Sequence, residues 1–430
     1  MAARGVVVIG AGQGGLDTAA ALRAKGYEGP VTLVGEEPVL PYQRPPLSKG
    51  YLTGAVGHPE LTLRPESFFG DQDITLVTGD RALRIEPDRG RVVLASGGFL
   101  TYDRLVLATG ARPRTLPVPG ADLSGVLTLR TLADADKLRG LIEGPPRQVA
   151  VIGAGFVGLE FAATARGLGH DVTVIEAQSR VLSRALTPQM SRWLARQHED
   201  RGVRLLLSGE LAALRGSAGR VEVVELRDGT RLPADLVVMG VGVLPRTELA
   251  AEAGLLVGDG VVVDRLLRTD DRSIHAIGDC ARFPSPHEGR HIRLESVQNA
   301  SDQARCVAAA ICDGPAPYSA VPWFWSEQYT LRLQMAGLTA GHDETVSVGD
   351  PDGARFSVLA FLRGRLIGVE SVGRPADHGI ARRLLATGAG PSPDEARSPG
   401  FDLKSLAARA ASSGPGRARA AEREKLPAHT

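Results

Sequence analysis

VVVIGAGQGGL, residues 6–16, sets a glycine-rich turn directly between a β-branched apolar run and a helical pattern. Val6, Val7, Val8 and Ile9 are continuously apolar, as a strand buried on both faces of a parallel sheet must be. Gly10 permits the tight turn that follows, Gly12 lets the backbone approach a pyrophosphate, and Gly15 lets the next helix pack closely on the strand. The phosphates would rest on free N–H groups of a helix predicted from about Gly14 to Lys25, with Leu16, Ala19, Ala20 and Leu22 inward. A second strand, Val31 to Val34, ends at Gly35 and Glu36, and Glu36 is spaced from Gly15 so that its carboxylate can accept ribose hydroxyl hydrogen bonds. A plain βα turn would explain the glycines alone. It does not explain strand, triad, helix, strand and acid in one unit.

The same unit returns in QVAVIGAGFVGLEFAATARGLGHDVTVIEAQSR, residues 148–180. Gly153, Gly155 and Gly158 repeat the triad, Leu159, Ala162, Ala163 and Leu168 mark the helix, and strand Val172 to Ile175 ends in Glu176. Two complete units in one chain imply two nucleotides bound by two domains, the arrangement of an electron relay between cofactors. The second unit continues through a helix near Thr187 to Arg201, a strand at Arg204 to Leu207, a hairpin turned at Asp228 and Gly229, and a strand at Leu236 to Gly240.

Between the units, PVLPYQRPPLSKGYL (38–52) is a stiff proline loop carrying Arg44 and Lys49, which without further context read as solvated surface. Residues 74–108 read as short strands, with a hairpin at Gly97 and Gly98, ending at Ala108, Thr109 and Gly110. ARPRTLPVPG (111–120) reads as a linker. The chain crosses back at GVGVLPRT (240–247), because IHAIGDC (274–280) is another strand ending in glycine and aspartate, so the first domain is discontinuous. The expected fold class is α/β, with two Rossmann-like dinucleotide-binding domains and a C-terminal α+β domain. The first domain takes residues 1–112 and 245–320, the second 113–244 and the third 321–410. Residues 411–430, rich in Ala, Gly, Pro and charge, read as a disordered tail.

With 50 basic and 49 acidic residues the chain has a formal net charge of +1, which argues against coating nucleic acid or a membrane surface by bulk charge. Its three cysteines, Cys280, Cys306 and Cys312, have neither CxxC nor CxxxxC spacing, so neither a disulfide framework nor a redox dithiol is indicated and a reducing cytoplasm fits best. Cys280 reads as a packed thiol, and the nine histidines show no metal-ligand spacing. No apolar run is long enough for a membrane span.

Both glycine motifs, YQRPPLSK (42–49), YDRLVLATGARPR (102–114), HAIGDCA (275–281), RLESVQNA (293–300) and PWFWSEQY (322–329) together resemble the NADH-dependent, FAD-containing ferredoxin reductases of oxygenase systems, the putidaredoxin reductase and biphenyl dioxygenase ferredoxin reductase group. The resemblance covers roughly residues 5 to 410 and implies a glutathione-reductase-like fold. It implies that FAD is held by the first triad, Glu36 and Asp279, with Gly14, Arg44, Lys49, Ala82, Thr109, Gly110, Arg130 and Val297 also against it. It places Lys49 near Glu160 beside the flavin ring, where a lysine stabilises the charge left by an arriving hydride and a carboxylate can orient that lysine and bond the nicotinamide amide. NAD falls to the second triad with Glu160, Glu176 and Gly242. Trp325 is implied as a cover for the ring, although paired aromatics after a proline are as readily core residues. Arg305 and Lys404 match docking positions for a [2Fe-2S] ferredoxin, and either could equally be a solvated charge.

The implied activity is that of a ferredoxin–NAD⁺ reductase. NADH delivers two electrons together and an iron–sulfur protein takes them singly, so a flavin must stand between. Related enzymes that reduce disulfides or peroxides need an early cysteine, and residues 1–279 contain none. Reduction of a rubredoxin or a small quinone is the alternative acceptor chemistry, and a non-catalytic flavoprotein that serves interactions is the alternative class. Glu176 argues for NADH over NADPH, whereas Arg180 could hold a 2′-phosphate if the acid turned away. One departure stands out. The return crossing commonly reads Asn after its proline, and here Pro245 is followed by Arg246.

Overall fold

The structure, a computed structural model, describes residues 5–312 and 314–412. In chain order the first stretch lays down β1 (Val6–Ile9), α1 (Gln13–Ala24), β2 (Val31–Val34), β3 (Ile74–Val77), β4 (Arg104–Leu107) and β5 (Ala111–Pro113). Next come β6 (Val126–Leu127), β7 (Gln148–Ile152), α2 (Phe156–Gly167), β8 (Asp171–Glu176), β9 (Arg204–Leu207) and β10 (Leu236–Met239). Then follow β11 (Val243–Pro245), β12 (Ile274–Ala276) and α3 (Val297–Ile311). The C-terminal strands are β13 (Trp323–Gln328), β14 (Leu331–Gly337), β15 (Glu344–Asp350), β16 (Arg355–Leu362) and β17 (Arg365–Val372).

Two parallel sheets of the same plan result. The first runs β12-β4-β1-β2-β3 and the second β9-β8-β7-β10-β6. Each triad follows the central strand, β1 or β7, whose apolar residues are buried; in the second sheet Ala150 and Ile152 pack against Val224, Leu226 and Leu232 of an antiparallel three-stranded sheet. Strand β12 arrives from beyond the second sheet to pair with β4, Ile274 opposite Leu105, so the first sheet is completed by a distant part of the chain. Helix α3 packs on α1 where Gly14 leaves room: a methyl group there would lie 3.3 Å from Ile277 and 3.4 Å from Ala300.

The stretch 111–120 is more ordered than a linker. Its first three residues form β5, which pairs antiparallel with β11 from the return crossing, Ala111 opposite Pro245. Proline is tolerated because each strand of a two-stranded ribbon is an edge. The second unit also carries a hairpin the sequence reading did not resolve, Leu211–Ser217 with Arg220–Leu226, turned at Ala218 and Gly219.

The described residues divide into two compact units, one of residues up to Leu182 together with Leu194–Ala320, and one of Ser183–Trp193 together with the described residues from Val321 onward. The second is built on the antiparallel sheet β13-β14-β17-β16-β15 with helices Pro375–Thr387, Pro393–Arg397 and Leu403–Ser412. Ser183–Trp193 belongs with this sheet through the fully buried Glu370, which accepts 2.7 Å hydrogen bonds from both the Thr187 backbone N–H and its hydroxyl. Burial raises the Glu370 pKa and these donors oppose the shift. Of the tail expected over 411–430, residues from 413 onward lie outside the described residues, and 411 and 412 close the last helix.

Candidate functional site

Backbone geometry assigns each glycine its work. Gly10 has φ +109° and a methyl on it would sit 2.2 Å from the Ala108 carbonyl oxygen, while one on Gly15 would meet the Gly10 carbonyl at 1.8 Å. Those two are steric necessities. Gly12 is different: a methyl there meets nothing within 4 Å, and Gly12 caps α1 with no side chain bonded to the helix's free N–H groups. The second turn repeats this, with Gly153 at φ +100°, Gly158 2.2 Å from the Gly153 carbonyl on the same test, and Gly155 capping α2 without a side-chain bond. Each unit thus offers an uncapped helix N-terminus behind a bare glycine, the arrangement that receives a pyrophosphate.

The acids at the strand ends are held differently. Glu176 is fixed by its own unit: Oε2 accepts the Ala154 backbone N–H at 2.7 Å and Oε1 that of Gln178 at 2.8 Å. Glu36 faces cations, Arg246 Nη1 at 2.7 Å and Arg81 Nε at 3.9 Å. A cavity opens beside it, walled by Gly10, Glu36, Arg81, Ala82, Thr109 and Arg246.

A second set of contacts surrounds Asp279, on the short turn after β12. Its carboxylate pairs with Arg130 at 2.8 Å. Arg44 is a brace for that arginine, donating to the Arg130 carbonyl at 2.6 Å while Glu37 holds its other end at 2.7 Å. Gln303 on α3, fully buried, accepts the Gly278 backbone N–H at 2.7 Å and so fixes the turn that carries Asp279. Arg130 Nε and Gln303 Nε2 are buried donors with no partner. Two orphaned donors flanking Asp279, together with the open space over Gly12, fit a bound dinucleotide cofactor that supplies acceptors. Gly110, at φ +66°, lies 3.6 Å from Arg130 on the methyl test, and Val297 begins α3.

Lys49 and Glu160 meet across the two nucleotide units. Lys49 Nζ is 3.0 Å from Glu160 Oε2, and their side chains are only 19% and 7% exposed. Ser48 donates to the same oxygen at 2.5 Å, and Thr164, one turn further along α2, donates to the Ser48 carbonyl at 2.8 Å. Desolvation makes such a pair costly to break from one side, so it fixes the proline loop against α2.

Other expected residues are dispersed. Gly242 lies on the return crossing, its carbonyl accepting the Arg114 N–H. Trp325 sits in β13 of the C-terminal sheet, half-buried, with its ring centroid 5.6 Å from Trp323 and 6.1 Å from Phe324. Arg305, on α3, is exposed and paired with Asp302, and Lys404 is exposed on the last helix. Cys280 is fully buried, its thiol donating to the Ile277 carbonyl at 3.2 Å, and burial pushes its pKa up, which keeps it protonated and inert. Among the described residues no group of His, Cys, Asp and Glu could hold a metal ion, and no helix is long and apolar enough to cross a membrane. Sequence reasoning missed Ser48, Glu37 and Gln303. Ser48 adjoins Lys49 inside the proline motif, a usable signal, whereas nothing in the local pattern marks Gln303.

Residues 4–304 match the family model described as pyridine nucleotide-disulphide oxidoreductase, and residues 323–407 the one described as reductase C-terminal. Rhodocoxin reductase of Rhodococcus erythropolis is 50% identical over 404 residues, 94% of each chain. Among solved structures, the ferredoxin reductase for the CYP199A2 system from Rhodopseudomonas palustris superposes with a TM-score of 0.91 at 47% identity, covering 94% of this chain and 99% of that one. The covalent putidaredoxin reductase–putidaredoxin complex matches with a TM-score of 0.91 at 39% identity, covering 95% and 99%.

Proposed function

The chain belongs to the pyridine nucleotide-disulphide oxidoreductase family, and we propose that it is a reductase passing electrons from NADH through FAD to a [2Fe-2S] ferredoxin of a monooxygenase or dioxygenase system. The observation that carries this reading is the buried Lys49–Glu160 pair at the meeting of two nucleotide units in a chain with no cysteine before Cys280. When bound, FAD accepts both electrons of NADH as a hydride and releases them singly.

The protein's part is to bind, orient and hold charge. Gly12 and the α1 N-terminus take the FAD pyrophosphate, Glu36 the adenosine ribose, and Asp279 with Arg130 the stretch toward the ring. Gly155, the α2 N-terminus and Glu176 take NADH in the same manner. The Lys49 ammonium supplies positive charge where the ring gains negative charge, Glu160 with Ser48 keeps that ammonium in place, and the carboxylate can also accept the nicotinamide amide. Trp325 is assigned as the cover of the ring, Arg305 and Lys404 as ferredoxin contacts, and the cytoplasm as the compartment.

Steady-state reduction of a two-iron, two-sulfur ferredoxin by NADH, set against a rubredoxin and a small quinone, tests the proposal. Preferential turnover with the ferredoxin is the expected result. Turnover with rubredoxin or quinone alone would replace the acceptor, and a colourless protein that FAD cannot reconstitute would overturn the reading altogether.

A further inference from the structure

We infer that Arg246 is a positioning residue for the adenosine end of FAD, acting through Glu36; the inference rests on the proposed cofactor. In the second nucleotide unit the acid at the strand end needs no outside help, because two backbone N–H groups of that unit, at Ala154 and Gln178, occupy its two oxygens. Glu36 has no such donors among the described residues. Its partners are two arginines from elsewhere, Arg246 at 2.7 Å and Arg81 at 3.9 Å. An acid that must present an oxygen to a ribose diol needs a fixed orientation, and here the shortest contact that fixes it comes from 210 residues along the chain.

Arg246 is itself anchored. Its N–H donates to the Gly110 carbonyl at 2.9 Å, and its carbonyl accepts the Thr109 hydroxyl at 2.8 Å, so its backbone is tied to the loop that ends β4. The side chain then reaches the cavity beside β1, which Asp80, Glu248 and Glu252 also line. Without the Arg246 charge, four carboxylates would face that cavity against two cations, Arg81 in its wall and Arg112, which pairs with Glu248 at 3.4 Å. The entering ligand carries an anionic pyrophosphate. Arg246 therefore does two things at once: it orients Glu36, and it offsets a local acidic field that repels FAD. Asparagine at this position could do neither by charge.

The rate at which the holoenzyme releases FAD, read from the recovery of free-flavin fluorescence, tests this in the parent, Arg246→Asn, Glu36→Gln and the double variant. Arg246→Asn should release FAD roughly tenfold faster, as loss of one charge-assisted contact predicts. Arg246→Lys should return most of that loss. The double variant should be no faster than the faster single variant, because the two residues act as one unit. Unchanged release in Arg246→Asn, or multiplicative effects in the double variant, would overturn the inference. A parent protein that holds no flavin would instead refute the proposed function, so the two failures are distinguishable.

Discussion

The two nucleotide units share strand order, glycine triad and an acid at the end of the second strand, yet they hold that acid by different means. Glu176 is fixed by backbone N–H groups of its own turn, whereas Glu36 is fixed by Arg246 from the return crossing. The units also differ at the sheet edge, where β12 brings His275 beside β4 and the second sheet has only the two-residue β6. A duplicated sequence therefore reproduces a backbone, while the arginine that aims Glu36 comes from a part of the chain that was not duplicated. At Lys49 and Glu160 the two nucleotide units meet in a buried ion pair, joined there by the Ser48 hydroxyl.

That pair is where the comparison predicts the largest effect. Lys49→Ala should slow flavin reduction by NADH by about 10²–10³-fold, as loss of one preorganised charge-stabilising donor does, with FAD still bound. Stopped-flow reduction at the parent rate would remove Lys49 from the chemistry.

The first sheet should also be the acid-sensitive one. His275 is 2% exposed, its Nδ1 has no partner, and burial, with Arg104 and Arg268 adding to it against Asp264, lowers its pKa to about 4. A histidine depressed from an ordinary 6.5 gives stability that is fully present above pH 6.5 and is lost as pH falls toward 4, where the unfolded chain binds the proton first. The loss is about 3 kcal/mol at most. Denaturant unfolding followed across that window should flatten in His275→Leu, and an unchanged acid slope would assign it elsewhere.

Next in size is nucleotide choice. A carboxylate facing a 2′-phosphate at ~5 Å and an effective dielectric of ~20 costs roughly 3 kcal/mol per unit charge, so a preference for NADH of about a hundredfold follows after screening. Glu176→Arg should shift the ratio of catalytic efficiencies toward NADPH. Parity in the parent would show that Glu176 does not read the ribose.

The smallest effects separate the turns themselves. Because a methyl at Gly12 or Gly155 meets at most an ordinary contact, 3.7 Å from the Gly240 carbonyl in the second case, Gly12→Ala and Gly155→Ala should fold with nearly parental Tm. Gly12→Ala should then weaken FAD, and Gly155→Ala NADH, each by roughly tenfold. Loss of both ligands in either variant would mean that the units do not divide the cofactors as proposed.

The sequence by itself determined both βαβ units, because an apolar run, a glycine triad and a terminal acid are local features whose geometry depends on residues a few positions apart. It also determined which strands are buried on both faces, since β-branched runs such as Val6–Ile9 have no other stable place. Tertiary structure alone decided that residues 111–113 are a strand, because a proline-rich segment pairs only if a partner crosses beside it, and that partner lies at 243–245. It decided likewise that Arg44 braces Arg130, that Gln303 sets the Asp279 turn, and that Arg246 holds Glu36. Each of these is a hydrogen bond or ion pair between residues 25 to 210 positions apart. No local periodicity encodes such a contact; folding creates it by bringing separate loops and a helix together.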